Sequence, residues 1–182
     1  TDCIMVIGAN PSSGHPVTGA KMKQFAMKNK TTIVIDPRRT ELAEFATFHL
    51  PLKPGTNVAL LNMMMYFILS EGKEDKSFIE LRTNGYEDFR KRILQLDVDE
   101  MERVTGVDQK LVREAALAYA SAPNAMSFHG LGVTEHSQGT YTVQQIADLA
   151  MITGNIGRPG VGVNPLRGQN NVQGSADMGV QP

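Results

Sequence analysis

The sequence predicts an α/β fold: a doubly wound, mostly parallel sheet with helices on both faces. Three observations carry this. Short, continuously apolar runs suit strands buried on both faces, and stretches of helical period separate them. Each apolar run ends on a loop rich in Gly, Asn, Ser, Thr or charge. The chain has 182 residues, 41% of them apolar and 20% charged, which supports one sizeable core in a globular protein.

Cys3-Ile4-Met5-Val6-Ile7 is the first such run, and it stops at Gly8. A loop over residues 8–16 follows, then a helix of roughly a dozen residues carrying Val17, Ala20, Met22, Phe25 and Ala26 toward Asn29. Thr31-Thr32-Ile33-Val34-Ile35 is the second strand and closes on Asp36-Pro37-Arg38-Arg39. Strand, loop, helix and strand in this order make a right-handed βαβ unit. Residues 40–46 read as a short helical piece and 47–52 as a third strand.

Thr56 or Asn57 caps the next helix, in which Leu60, Leu61, Met64, Met65 and Ile68 share a face. The Met63-Met64-Met65 triplet reads as flexible core filler. Residues 71–102 are charged and helical in flavour, one or two surface helices anchored by Phe78, Leu81, Tyr86, Phe89, Ile93 and Leu96. Asp108 caps a further helix with Val107, Leu111, Ala115 and Tyr119 on one face. Residues 125–129 form the next strand, and a helix with Val143, Ile146, Ala147 and Ala150 runs up to Gly154. Residues 155–182 read as a long glycine-rich loop with no helical period and no alternation. The whole, residues 1–182, is expected to be a single Rossmann-like domain.

Composition excludes several classes. A net charge of −1 gives no basis for non-specific binding to nucleic acid or an anionic membrane. The single cysteine, Cys3, rules out a disulfide framework and any cysteine-rich iron–sulfur or zinc site within the chain. It is compatible with a reducing compartment, and a cytoplasmic location is the expectation. The longest apolar stretch, residues 58–69, is broken by Asn62 and falls short of a membrane span. The chain opens on Thr1 and closes just after an information-rich loop, so a piece excised from a larger protein is expected.

In doubly wound sheets ligands sit at the carboxyl ends of the strands, near the switch in topology. Four loops follow predicted strands: residues 8–14, 36–39, 53–57 and 130–138. The first lies between a strand and a helix, where amides can hold a phosphate, although a plain turn fits as well. It matches neither G-x-G-x-x-G nor the P-loop pattern. Asp36 can read a ribose or accept the paired N–H groups of guanine; capping a turn or pairing with Arg38 or Arg39 is the structural alternative. The four histidines, His15, His49, His129 and His136, lack metal-ligand spacing, and His15 is the hydrogen-bonding candidate of the first loop. In the final loop Arg167 stands among glycines and amides with no acidic neighbour nearer than Asp177, offered to a small anion.

Five segments occur in register: Val6-Ile7-Gly8-Ala9-Asn10-Pro11 with His15-Pro16; Asp36-Pro37-Arg38-Arg39-Thr40; Leu52-Lys53-Pro54-Gly55-Thr56-Asn57; Gly130-Leu131-Gly132-Val133-Thr134; and Asn164-Pro165-Leu166-Arg167-Gly168-Gln169-Asn170-Asn171-Val172-Gln173-Gly174. Across the whole chain this resembles the molybdopterin oxidoreductases of the dimethyl-sulfoxide-reductase family, above all the catalytic subunits of formate dehydrogenases. The resemblance implies one of two related domains, each holding half of a bis(molybdopterin guanine dinucleotide) cofactor with molybdenum or tungsten. It implies that Ile7, Gly8, Ala9, Asn10, Pro11 and His15 line the dinucleotide, with Asp36, Pro37 and Arg38 at its guanosine end. Gly55, Thr56 and Asn57 would contact the nucleotide. Gly130, Leu131, Gly132, Val133, Thr134 and Glu135 would lie along its pterin and phosphate portion; Glu135 stands where relatives often carry an amide. Arg167 and Gln169 would be the catalytic pair, Arg167 holding the carboxylate of formate as a planar fork.

The family's metal ligand, a cysteine or selenocysteine followed by histidine, is expected upstream of Thr1, because Cys3 is followed by Ile4. The resemblance also implies partners: the remaining domains of the same subunit, a 4Fe-4S cluster in the parent, and electron-transfer subunits or a ferredoxin-like acceptor. The parent would oxidise formate to carbon dioxide, and the fragment alone would be inactive. Nitrate or another oxyanion is the alternative substrate. A non-catalytic nucleotide-binding or assembly module is the alternative of another class.

Overall fold

The computed structural model describes residues 1–168 and 171–180. Five parallel strands form one sheet in the order β3-β2-β1-β4-β5. They are β1 (Cys3–Ile7), β2 (Thr31–Ile35), β3 (Phe48–Leu50), β4 (Ala125–His129) and β5 (Gly162–Pro165). Cys3 pairs with Thr31 on one side and Ala125 on the other, which puts β1 at the centre. Chain order reverses there, with β2 and β3 to one side and β4 and β5 to the other. The switch point therefore lies between β1 and β4.

All five residues of β1 are buried, as a run apolar at both parities requires. Ile4 and Val6 join Met22, Val34, Leu42 and Ala43 on one face of the sheet. Met22 belongs to α2 (Pro16–Met27), and Leu42 and Ala43 to a 3-10 turn at Glu41–Glu44; α1 (Pro11–Gly14) is a single turn ahead of α2. Cys3, Met5 and Ile7 face the larger core on the other side.

That core is built on α3 (Asn57–Ser70), whose Met63, Met64 and Met65 are fully buried. A helix apolar all round needs cover all round. The sheet, α7 (Gln109–Ser121) and α9 (Gly139–Ile152) supply part of it. The rest comes from α4 (Lys76–Arg82), α5 (Tyr86–Leu94) and α6 (Val98–Thr105). Asp108 caps α7 by accepting from the Lys110 amide at 2.7 Å. Another single turn, α8 (Leu131–Thr134), follows β4.

Four expectations are corrected. Residues 71–102 hold three helices, because Asp75 and Asp97 each cap a new start by accepting from Phe78 and Glu100 amides. Leu81 is 79% exposed and Ile79, two residues earlier and on nearly the opposite side of the helix, takes the anchoring place. Val17 is 73% exposed and Ala20 is exposed too, since Pro16 starts α2 at the solvent edge; Gly19, Met22 and Ala26 turn inward, with Phe25 partly buried beside them. The stretch from Asn155 is not all loop: β5 adds a parallel edge strand to β4, with Val163 opposite Ser127, and α10 (Val172–Asp177) follows it.

Among the described residues no helix is long and apolar enough to cross a membrane.

Candidate functional site

Because every strand runs the same way, the loops after all five emerge along one edge of the sheet. The loops after β1 and β4 meet at the switch point in direct backbone contact. Gly132 N–H donates to Gly8 O at 3.0 Å, and Gly130 N–H to Ile7 O at 3.2 Å. Gly8 has a φ of +56°, and a Cβ on it would fall 2.6 Å from the Gly132 carbonyl carbon. A Cβ on Gly132 would fall 2.8 Å from Gly8 O. Only glycine fits either place, and the result is a ridge with no side chains on it.

A concavity opens on each side of this ridge, and Gly8, Ala9, Asn10 and Gly132 line both. The first holds about 240 Å³ and is completed by Asp36, Pro37, Arg38, Gly55, Asn57 and His136, among others. The second holds about 250 Å³ and is walled by His15, Gly130, Leu131, Leu166 and Gly168. A larger hollow of about 750 Å³ between α4 and α5 shares no residue with either. Glu74, Glu80, Glu87 and Asp88 dominate its wall, so it repels an anionic ligand.

Asp36 is only 6% exposed, and its Oδ1 accepts from the Arg38 amide at 2.8 Å. The Arg38 guanidinium stays 3.9 Å away and largely in solvent. His49 Nε2–H donates to the Asp36 carbonyl at 3.0 Å and fixes the backbone there. The local turn and the offered carboxylate thus coexist, since one accepted bond leaves lone pairs on both oxygens. Asn57 Nδ2 donates to Gly132 O at 3.4 Å, tying the third loop to the ridge. Asn10 Oδ1 is buried and has no protein partner.

At the other end, His15 Nε2 lies 2.7 Å from the Arg167 carbonyl, so this nitrogen carries the proton and donates. The contact pins the loop after β1 to the loop after β5. Arg167 is exposed, and its Nη2 donates to Gln173 Oε1 at 2.8 Å. Beneath it His129 is 4% exposed, with Nδ1 unpartnered. Burial first, and then the Arg167 charge, hold its imidazolium below the usual range. Cys3 is buried in the sheet, where desolvation pushes the thiol up to about 12 and leaves it protonated and inert.

Several expected site residues offer only their backbone. Ile7 and Val133 are fully buried, and the Pro11 ring is buried too. Thr56 Oγ1 donates to Lys53 O at 2.7 Å, and Thr134 and Glu135 are exposed but line neither concavity. Gln169 lies outside the described residues. Sequence reasoning weighed His136 only as a metal ligand, although its place in a loop after a strand was the signal for the first concavity. Leu166 and Gly168 become wall residues through β5, which had no apolar run to announce it.

Donors and acceptors together suit an elongated, nucleotide-like group, with acceptors for the N–H and O–H groups of a nucleoside and backbone amides and a guanidinium for its anionic part. There is a side-chain-free ridge for close backbone approach, an unpaired buried amide oxygen at Asn10, a half-used carboxylate at one end and a guanidinium at the other.

Comparison with known proteins gives the family. The model of a family described as molybdopterin oxidoreductase matches residues 1–181. Formate dehydrogenase H of Escherichia coli is 44% identical over 182 residues, all of this chain and 26% of that protein. The F420-dependent formate dehydrogenase subunit alpha of Methanocaldococcus jannaschii is 44% identical over 181 residues, 100% of this chain and 27% of its own. Among solved structures, acetylene hydratase from Pelobacter acetylenicus superposes with a TM-score of 0.82 at 29% identity, over 87% of this chain and 22% of that one. The chain thus spans about a quarter of the length of the curated relatives it matches.

Proposed function

Because this chain belongs to the molybdopterin oxidoreductase family, we propose that it is the part of a formate dehydrogenase catalytic subunit that holds one half of a bis(molybdopterin guanine dinucleotide) cofactor. One observation carries the reading: Asp36 after β2 lines the concavity on one side of the glycine ridge, and the Arg167 loop after β5 walls the concavity on the other through Leu166 and Gly168. Three strand spacings separate β2 from β5, roughly 14 Å, which leaves room for an elongated ligand lying across the edge.

In this reading Asp36 accepts the two adjacent N–H donors of guanine, while Arg38, Gly55 and Asn57 close round the nucleoside. Gly8, Ala9, Asn10, Gly130 and Gly132 bring bare backbone against the pyrophosphate and pterin. His15 holds the Arg167 loop in place through its carbonyl. When bound, the molybdopterin group, with molybdenum or tungsten, would supply the two-electron redox centre. Arg167 supplies orientation: a planar guanidinium pairs with both oxygens of formate and fixes where its C–H points. By the same family resemblance Gln169 is proposed as the partner of Arg167 in substrate binding. The parent would oxidise formate to carbon dioxide, releasing a proton and two electrons, with a 4Fe-4S cluster and electron-transfer subunits or a ferredoxin-like acceptor as the electron route. The chain, as one cofactor-binding domain, works in the cytoplasm against the other domains of its own subunit.

The 44% identity to two formate dehydrogenases favours this substrate over nitrate or another oxyanion. The test is Arg167→Gln in the complete subunit. Loss of a preorganised donor should lower kcat/KM for formate by about 100-fold or more, with molybdopterin content unchanged. A wild-type rate would remove formate binding from Arg167.

A further inference from the structure

Resting on the reading of Arg167 as the substrate-anion residue, we propose that Gln173 is a positioning residue that keeps the Arg167 charge unneutralised and available. Arg167 Nη2 donates to Gln173 Oε1 at 2.8 Å, and Gln173 Nε2 donates to Asp177 Oδ1 at 2.9 Å. Gln173 and Asp177 are four residues apart on α10, so they share one helix face. On its other side Arg167 is held by its backbone carbonyl, which accepts from His15. The guanidinium is thus located from two directions, and its contact with Gln173 uses one N–H of five.

The partner's chemistry decides what this does. An amide accepts from the guanidinium without cancelling its charge. Its own N–H₂ occupies Asp177, the nearest carboxylate in the relay, and keeps it one residue removed. A glutamate at 173 would instead take the guanidinium fork in two-point fashion and compete with a substrate carboxylate. It would also face Asp177 as a like charge at helical spacing. An alanine there would release the fork without adding a competitor. A side-chain amide carries its acceptor and its donors on separate atoms of one planar group and stays neutral at all pH values, so it can accept from Arg167 and donate to Asp177 at once.

The test compares Gln173→Glu and Gln173→Ala with wild type in the complete subunit. Two quantities are measured: KM and kcat for formate, and the equilibrium affinity for nitrate by calorimetry. Nitrate is a planar monoanion that offers the same pair of oxygens with no hydrogen to lose. Gln173→Glu should raise the KM and the nitrate Kd about tenfold or more, with kcat changed less than about threefold, because ground-state anion binding is what is lost. Gln173→Ala should raise both by only about threefold. Constants for Gln173→Glu within about twofold of wild type would overturn the assignment. Equal losses in the two variants would also overturn it, since the added charge would then have no effect. Arg167→Gln separates the two levels. If it leaves nitrate affinity intact, the anion is not held by Arg167, and the functional reading falls first and takes this assignment with it.

Discussion

Gly8 and Gly55 show how differently two glycines of left-handed φ serve one site. Both have positive φ, but a Cβ on Gly8 meets the Gly132 backbone at 2.6 Å, whereas a Cβ on Gly55 meets nothing within 4 Å. Gly8→Ala should therefore cost on the order of 3 kcal/mol, strain and backbone overlap together, and Gly55→Ala about 1 kcal/mol from strain alone. Chemical denaturation of the two variants measures the gap, and equal losses would deny the ridge its close packing. His129 adds a pH dependence. Its imidazolium is disfavoured in the folded chain, so the unfolded chain binds more protons just below the ordinary value of about 6.5. Stability should fall as pH drops from there toward the lower native value. His129→Gln should flatten that slope, and an unchanged slope would mean other groups carry it. Sequence alone exposed Asp36 and Gly8, because both follow apolar strands. It gave no sign that His15 clasps the Arg167 carbonyl, a contact between residues far apart in the chain.

At the scale of elements, four strands were legible and the fifth was not. Strands β1, β2 and β4 are five-residue segments rich in apolar side chains that carry their own signal, and β3 carries a shorter one. Gly162-Val163-Asn164-Pro165 has one apolar side chain and ends on proline; its strand character comes from β4, with Leu166 N–H reaching His129 O at 2.8 Å. The α10 sequence, Val172-Gln173-Gly174-Ser175-Ala176-Asp177, has glycine in its interior and no buried residue, so propensity and periodicity were both silent. Single-turn α1 and α8 were hidden for a related reason, as one turn has no period. This contrast predicts a boundary in hydrogen exchange. The Leu166 amide, bonded to the sheet, should exchange slowly, and the amides of α10, without burial behind them, much faster. Uniform protection across the two would show that α10 is packed on a surface.

For the whole molecule, the all-parallel order β3-β2-β1-β4-β5 turns five separate loops into one edge, with the Asp36 carboxylate after β2 and the Arg167 guanidinium after β5. A chain that spans about a quarter of its curated relatives is expected to bind without turning over: the isolated protein should show no formate oxidation, and a measurable rate would contradict that. The central claim is that this edge reads a guanine nucleotide through Asp36. Calorimetric titration of guanosine diphosphate and adenosine diphosphate into the wild-type chain and Asp36→Ala tests it most directly. The account predicts binding of the guanine nucleotide alone, abolished by Asp36→Ala in a variant that still folds. Equal affinity for the two nucleotides, or guanine binding that survives Asp36→Ala, would contradict it.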